Sequence, residues 1–498
     1  MLAMETIQAE ETAELIIQDF TPKGYGLAQW PRPAPLPPLQ VEVAHALPGD
    51  TIQAAMRKKM RGVRKGRLLE VIAPSCDRIS PPCKHAQICG GCCWQQMAYG
   101  AQLKEKEARI KKIFGSMAPI EPILGAEKIF GYRNKMEFSF SENRAGMRYL
   151  GLMIAQAEPY VFNVEECHLA SPWFAEILQA VRAWWEKTGV KAYHPHRDEG
   201  ALRYLTLREA VRTGQKMAIL NVSGNAEFAL TRFQLDLFVQ TVQEALFGDE
   251  ISLFLRIHQT KKGKPTQFFE MHLAGPDHIV EELRLARGAL SFKISPISFF
   301  QPNTLQAEKL YDTALAMIEA LQPTTVFDLY CGTGTLAMAA SRFAQRVIGI
   351  ELSAEAVLDA EENLERNAIQ NCRFIQGDVG KVLTRLIDEG VPKPNVVIVD
   401  PPRAGLDALA LSHLKKLMPQ AILYISCNPL TQADNIQELI RCGYRLERLQ
   451  PIDQFPHTYH IENIALLVYT NAFKNWEFGN VDASDLKQRS DTEAAQLV

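Results

Sequence analysis

From Pro296 to Thr470 the chain repeats one texture: apolar runs of four to six residues, each followed by a stretch with helical periodicity. The runs are Thr325–Leu329, Arg346–Ile350, Arg373–Gln376, Val396–Val399, Ala421–Ile425 and Ile464–Tyr469. Short apolar strands that do not alternate with polar residues are buried on both faces, and helices between them are the crossovers that parallel neighbours require. This part is therefore expected to be an α/β, doubly wound parallel sheet. Such sheets bind ligands outside the carboxyl ends of their strands, so the residues at those ends carry the functional argument.

The first strand end, Phe327-Asp-Leu-Tyr-Cys-Gly-Thr-Gly-Thr335, is a glycine-rich turn opening a helical run, where backbone approaches a ligand closely and a helix N-terminus faces it. Glu351 ends the next strand and can accept from both hydroxyls of a ribose, and Asp378 ends the third, in reach of an adenine amine. Val396-Val-Ile-Val-Asp-Pro-Pro-Arg403 places Asp400 at the fourth end, and Tyr424-Ile-Ser-Cys-Asn-Pro429 delivers Cys427 at the fifth. A dinucleotide dehydrogenase would also want an acid at 351. Its Gly-x-Gly-x-x-Gly turn is only partly met, with Ala337 in the last place, and Asp-Pro-Pro-Arg has no role in hydride transfer. S-adenosylmethionine is the favoured ligand.

A methyl donor beside a thiol is what methylation of a pyrimidine at carbon 5 needs, because thiolate addition at carbon 6 makes carbon 5 nucleophilic. A base must then remove the carbon-5 proton. The segment Asp453-Gln-Phe-Pro-His-Thr-Tyr-His-Ile-Glu462 offers His457, His460 and Glu462, and the chemistry does not choose among them. Cys331, inside the turn, and Cys372 and Cys442, before strands, read as packing residues.

With 498 residues the chain exceeds one core, and about three domains are expected, 1–75, 76–290 and 291–472, with a disordered tail over 473–498. Residues 12–75 read as a small OB-like β-barrel: Glu14–Asp19, Val41–Leu47 and Asp50–Ala55 are strand candidates, Pro48-Gly49 is a tight turn, and the proline-rich 31–38 is a loop. A charged helix is expected from about Gln95 to Phe114 and another from Ala175 to Trp185. Arg203–Arg208 and Met217–Val222 read as paired strands of an α+β region. A net charge of −3 argues against a nucleic-acid partner, but Arg57–Arg67 holds seven positive charges and no acid, a cluster able to neutralise phosphates. No apolar run is long enough for a membrane span, and the acidic N-terminus has no apolar signal core, so a cytoplasmic location is expected.

Ten cysteines without a secretory signal do not suggest a disulfide framework, and four crowd between Cys83 and Cys93. Cys83, Cys89 and Cys92 have C-x5-C-x2-C spacing, and Cys167 in Val-Glu-Glu-Cys-His-Leu is the candidate for a fourth ligand. Zinc and an iron–sulfur cluster both accept four thiolates, and spacing alone favours zinc. Cys93 is an extra thiol beside a ligand, and Cys76 reads as a plain core residue.

Asp-Leu-Tyr-Cys-Gly-x-Gly (328–334), Asp-Pro-Pro-Arg-Ala-Gly-Leu (400–406), Ser-Cys-Asn-Pro (426–429) and Phe-Pro-His-Thr-x-His-x-Glu (455–462), in this order, resemble the motifs of the RNA 5-methyluridine (uracil-C5) methyltransferases, and the resemblance spans roughly residues 12–470. It implies a Rossmann-like methyltransferase domain, Cys427 as nucleophile and Glu462 as general base. It further implies S-adenosylmethionine contacts at Gln301 (in Ser-Phe-Phe-Gln-Pro-Asn), Tyr330, Thr335 (where relatives often carry Asn), Glu351, Asp378 and Asp400. The barrel resembles a TRAM domain, an RNA-binding OB-like fold. The C-x5-C-x2-C spacing with a distal Glu-Cys-His resembles the cluster-bearing branch, which implies a 4Fe–4S cluster on Cys83, Cys89, Cys92 and Cys167 rather than zinc. Barrel and cysteines together are more similar to the ribosomal-RNA branch, which makes 23S ribosomal RNA the expected partner and transfer RNA the alternative. The target uridine is expected to leave its stack, with Arg133 and Lys135 helping to hold the strand.

Three rivals fit less well. An inactive RNA-binding relative has no need of Cys427, Asp400 and Glu462 together. A radical methylthiolating enzyme would carry C-x3-C-x2-C and a C-terminal module. An amino-group methyltransferase would carry an aromatic in place of Arg403.

Overall fold

The computed structural model describes residues 11–470, apart from 33–34, 61–62, 158, 261–262 and 264–265, so the expected disordered tail lies outside the described residues. Strands β1 (Thr12–Phe20), β2 (Gly26–Trp30), β3 (Leu39–Val43), β4 (Thr51–Met60) and β5 (Val63–Ala73) form a closed barrel in the order β1-β2-β3-β5-β4. Alternate residues point inward, so Leu15, Ile17, Ala28, Val41, Val43, Ile52 and Ala54 make its core. Gly66 lets the wall close, since a Cβ there would come within 2.9 Å of the Val43 side chain. The expected strand over 41–47 ends at Val43. The chain turns there because His45 takes φ +62° and the buried Asp50 carboxylate binds the backbone N–H of Leu47 and of Ser75 at 2.7 and 2.8 Å. The described residues of the basic run, 57–60 and 63–67, belong to β4 and β5.

Helix α1 (Tyr99–Phe114) starts four residues after Gln95, where the sequence places its beginning. The preceding glutamines serve the cysteine-bearing turns instead: Gln95 accepts from the Cys83 N–H at 3.2 Å and Gln96 donates to the Cys93 carbonyl at 2.9 Å.

A second sheet contains β6 (Lys135–Glu142), β7 (Arg148–Met153), β8 (Val161–Asn163), β9 (Leu202–Glu209), β10 (Lys216–Ser223), β11 (Ile251–Gln259) and β12 (Gln267–Ala274), in the order β12-β11-β10-β9-β6-β7-β8. Helices α2 (Trp173–Thr188) and α3 (Arg232–Ala245) cover one face, burying Trp184, Trp185 and Phe238 against Phe138, Leu205, Leu220 and Leu253. Apart from the parallel β10–β11 pair, which α3 connects, the pairings are antiparallel, including the expected β9–β10 pair.

The hairpin β13 (Ile279–Leu285) and β14 (Gly288–Ile294) packs Leu283 and Phe292 into the core of the last sheet, and the division at 290/291 falls inside β14. After α4 (Thr304–Glu319) come β15 (Thr325–Leu329), α5 (Thr335–Ala340), β16 (Arg346–Glu351), α6 (Ala354–Arg366), β17 (Cys372–Gln376), α7 (Val379–Asp388), β18 (Val396–Val399), α8 (Ala408–Leu417), β19 (Ala421–Ser426), α9 (Pro429–Ile440), β20 (Tyr444–Ile452) and β21 (Glu462–Tyr469). The strand order is β17-β16-β15-β18-β19-β21-β20. The sheet is mixed, not wholly parallel: five strands are parallel, while β21 is antiparallel to β19 and to β20. Strand β20 escapes the apolar-run reading because Arg445, Glu447, Arg448 and Pro451 interrupt it, as an edge strand tolerates. Apolar cores fill both faces, and truncating a buried Leu or Ile here to Ala costs about 2–5 kcal/mol. Strand order reverses between β15 and β18, which opens a crevice at their carboxyl ends. Among the described residues no helix is long and apolar enough to cross a membrane.

Candidate active site

A cavity of about 860 Å³ occupies that crevice. Its lining includes Gln301, Tyr330, Thr335, Glu351, Asp378, Asp400, Cys427 and Glu462, the residues singled out in the sequence as cofactor contacts, nucleophile and base. They arrive from strand ends and from the turns beyond them. Tyr330 leaves β15 with φ +64° and donates its hydroxyl to Asp407 at 3.0 Å. Gly334 comes next at φ +81°, and a Cβ there would stand 2.3 Å from the Phe374 ring, so only glycine serves. Glu351 accepts the Gly332 N–H at 3.0 Å on one oxygen and the Ser353 N–H at 2.9 Å on the other, which fixes its carboxylate at the rim. Asp378 caps α7 by accepting the Lys381 N–H at 3.1 Å. Gln301 is buried, with its carbonyl held by Asn134 at 2.9 Å and its side-chain oxygen by Gln454 at 3.4 Å.

Five carboxyl groups line the cavity (Asp328, Glu351, Asp378, Asp400 and Glu462) against two guanidinium groups, Arg133 and Arg403. Burial pushes Asp400 up to about 7. Asp328 is held well above the carboxylate range by burial and then by Asp400 and Glu351. Neither Asp328 oxygen completes a hydrogen bond, and the nearby Ala337 N–H is the one group favouring its ionised form. Glu462 is raised by burial and then by Asp400, with Arg403 opposing. The Cys427 thiol is pushed up to about 11 by burial and then by Glu462, and Arg403 again opposes. A pocket so short of positive charge is matched to a cationic ligand, which would restore ionisation to the crowded acids. A sulfonium cofactor with an ammonium group and a ribose fits that balance.

Of the three candidate bases, His457 is out of the cavity, stacked on Phe130 at 4.4 Å with its backbone N–H donated to the Gln102 side chain at 2.8 Å. His460 lines the cavity, but its Nδ1 accepts from Arg403 at 3.0 Å, and burial followed by Arg403 lowers it to about 4. Glu462 stands beside Asp400 and Cys427. Arg403, which lines the cavity and opposes the upward shifts of Cys427 and Glu462, is the residue the sequence reading undervalued, although its place at the end of Asp-Pro-Pro-Arg was the available signal. Arg133 lines the cavity and Lys135 does not.

The loop 453–461 that carries these groups rests on α1. Lys106 and Asp453, both fully buried, pair at 2.6 Å, and Tyr99 donates to the same carboxylate at 2.8 Å. The Trp94 N–H donates to the His457 carbonyl at 3.0 Å, which ties the cysteine segment to the loop.

Cys83, Cys89, Cys92 and Cys167 converge. Cys167 packs against the core containing Cys89 and against the one containing Cys92. The Lys84 N–H donates to Glu166 at 3.1 Å and the Glu165 N–H to His85 at 3.2 Å, which joins the two segments. Even so, among the described residues no three His, Cys, Asp or Glu side chains are grouped to hold a single metal ion. Cys93 turns away into the cluster of Phe20, Leu47 and Trp94. Cys76, expected in the core, is exposed, because it comes directly after the Ser75 turn that Asp50 anchors.

The family model described as tRNA (Uracil-5-)-methyltransferase matches residues 269–470. An uncharacterised RNA methyltransferase of Protochlamydia amoebophila is 47% identical over 446 residues, which is 86% of this chain and 99% of that protein. The chain belongs to the RNA uracil-C5 methyltransferases. A further relative of this methyltransferase, an uncharacterised RNA methyltransferase of Caldanaerobacter subterraneus subsp. tengcongensis, is 33% identical over 92% of this chain and 98% of its own length. Among solved structures, the Pyrococcus abyssi tRNA (uracil-54, C5)-methyltransferase in complex with S-adenosyl-L-homocysteine aligns with TM-score 0.69 at 25% identity, covering 92% of this chain and 100% of that one.

Proposed function

We propose that this methyltransferase uses S-adenosylmethionine to methylate carbon 5 of a uridine in RNA through a covalent Cys427 adduct. The reading rests on one observation above all: Cys427, Asp400 and Glu462 face one cavity that holds five carboxyl groups against two guanidinium groups. When bound, S-adenosylmethionine supplies an electrophilic methyl group on a cationic sulfur. Cys427 Sγ adds to uracil C6 as its proton passes to the adjacent carboxyl cluster, and the C5–C6 π pair moves into the enolate. C5 then takes the methyl group, the C5–CH3 bond forming as the methyl–sulfur bond breaks with its electron pair left on sulfur. Glu462 removes the C5 proton, the C5–C6 double bond re-forms, and the Sγ–C6 bond breaks to return the thiolate. Gln301, Tyr330, Thr335, Glu351 and Asp378 hold the cofactor. Arg403 stabilises the anionic forms of Cys427 and Glu462, whose ionisation it favours.

The four converging thiols carry a 4Fe–4S cluster. The C-x5-C-x2-C spacing with the distal Glu-Cys-His, which resembles the cluster-bearing branch, supports the cluster over zinc. Since the reaction transfers no electron, the cluster is structural or aids RNA binding. The barrel serves as a TRAM-like RNA platform. Ribosomal RNA is the substrate class that the barrel and cysteines support together. The full-length likeness to a tRNA (uracil-54, C5)-methyltransferase favours transfer RNA as the second reading.

The test is nucleoside mass spectrometry of unmodified ribosomal and transfer RNA incubated separately with the protein and S-adenosylmethionine. New 5-methyluridine in one pool, absent with Cys427→Ala, is the expected result and names the substrate. No product from either pool despite cofactor binding overturns the reading.

A further inference from the structure

The central sheet has a face that α2 and α3 do not cover. Its lower rungs are closed by the methyltransferase core, which takes in Met217, Ile219 and Phe254. The upper rungs lie beyond that core: Ser139, Tyr204 and Arg256 are half-buried, Asn221 is buried and Glu270 is exposed. Lys135 stands on a lower rung at the start of β6, opposite Arg208. One upper rung runs Ser139–Tyr204–Asn221–Arg256–Glu270 across five strands, and the next pairs His258 with Phe268 on the edge strand β12. Phe268 is 48% exposed.

This face begins at the cavity. Arg133 lines the cavity and donates from Nε to the Lys135 carbonyl at 3.1 Å, and Lys135 opens β6 on the same face as Ser139. Lys135 makes no ion pair among the described residues; burial first, then Arg208, Arg256 and Arg133, lower it to about 8, against the exposed Glu137 on the same face of β6. Arg203 lies 4.2 Å over the Tyr193 ring, its Nε and one terminal nitrogen lack acceptors, and it makes no ion pair among the described residues either. Arg256 is neutralised by Glu270. Arg133, Lys135 and Arg203, with the exposed Glu137 among them, are interleaved with Tyr193, Tyr204 and Phe268, and cations for phosphates with rings for bases are the chemistry that holds a single strand.

We propose that this face is the track for the single-stranded RNA flanking the target uridine, running from Arg133 at the cavity across Lys135 and Arg203 to Phe268. The four interstrand gaps from β6 to β12 alone span about 19 Å, enough for a few nucleotides. The occupant is assigned from charge complementarity and from continuity with the cavity, and the proposal rests on the reading of that cavity as a uridine site.

The test uses the full-length protein and a short fluorescein-labelled single-stranded RNA with one central uridine, read by anisotropy over a range of salt concentrations. Lys135→Gln and Arg203→Gln are each expected to weaken binding about tenfold and to flatten the slope of log affinity against log salt by about 0.7. Phe268→Ala, at an exposed edge position, is expected to weaken it about fivefold or more. S-adenosylhomocysteine affinity by calorimetry should stay within about twofold of the parent, which shows that the fold is intact. Unmoved RNA affinity and salt slope in all three variants, with S-adenosylhomocysteine binding intact, overturn the proposal. Displacement of the RNA by polyglutamate at equal affinity also overturns it, in favour of an acidic peptide. If the parent makes no 5-methyluridine but the three variants still lose RNA, the track stands and the uridine reading falls.

Discussion

The cofactor cavity and the cysteine segment are built in opposite ways. The cavity residues from Tyr330 to Cys427 stand at the end of a strand of one sheet or in the segment that follows it, so the hydrogen-bonded ladder places the side chains before any ligand arrives. Cys83, Cys89 and Cys92 lie in irregular turns between β5 and α1, and Cys167 lies in another turn before α2. Their positions depend on contacts from elsewhere and, on the proposed reading, on the cluster the thiols carry. A sheet can offer a preformed site, whereas a turn-rich segment needs its ligand as part of its own structure.

Substitutions test how far the two regions differ. The largest effect belongs to the cavity: Glu462→Gln should lower kcat by about 10²–10⁴ and leave RNA covalently attached at Cys427, visible as a slow band on a denaturing gel. Retained turnover would move the base to another residue. Lys106→Met removes one partner of a fully buried ion pair and leaves Asp453 uncompensated, a loss of about 3–5 kcal/mol measurable by denaturant unfolding. Cys89→Ala should bleach the brown colour of anaerobically purified protein and lower its Tm by several degrees, while S-adenosylhomocysteine affinity changes little. A large loss of cofactor affinity there would show that the two regions are not independent. The smallest effect is expected of Arg403→Gln. Without that cation the Cys427 thiol, already near 11, ionises still less readily, so kcat/KM at neutral pH should fall about tenfold. Because the thiolate is the reacting form, the rate should rise with pH, and in this variant the rise should begin at higher pH.

The same contrast governed how much could be read from the chain alone. Val396–Val399 and Thr325–Leu329 were legible to the residue because strands buried on both faces are uninterrupted apolar runs, and the site residues stand directly after them. β20 was not legible, because an edge strand carries charges and a proline that its exposed side accepts. Nor was the elimination of His457, which depends on Gln102 and Phe130 coming from distant parts of the chain. The Arg403–His460 contact likewise joins two loops with no local pattern connecting them. Local periodicity reports what a strand buries, and it is silent about which loops meet.

The ion pair beneath the base-bearing loop joins residues 347 positions apart in the chain. During synthesis, the β15–β18 half of the cradle and Cys427 emerge first, whereas Glu462 and the loop that Lys106 must grip come afterwards. A nascent chain halted between these points would present a thiol and most of a cofactor site, but no base to release a trapped uridine. Order of emergence thus makes Glu462, the proposed base, the last to be put in place, once the early helix α1 has closed on the late loop.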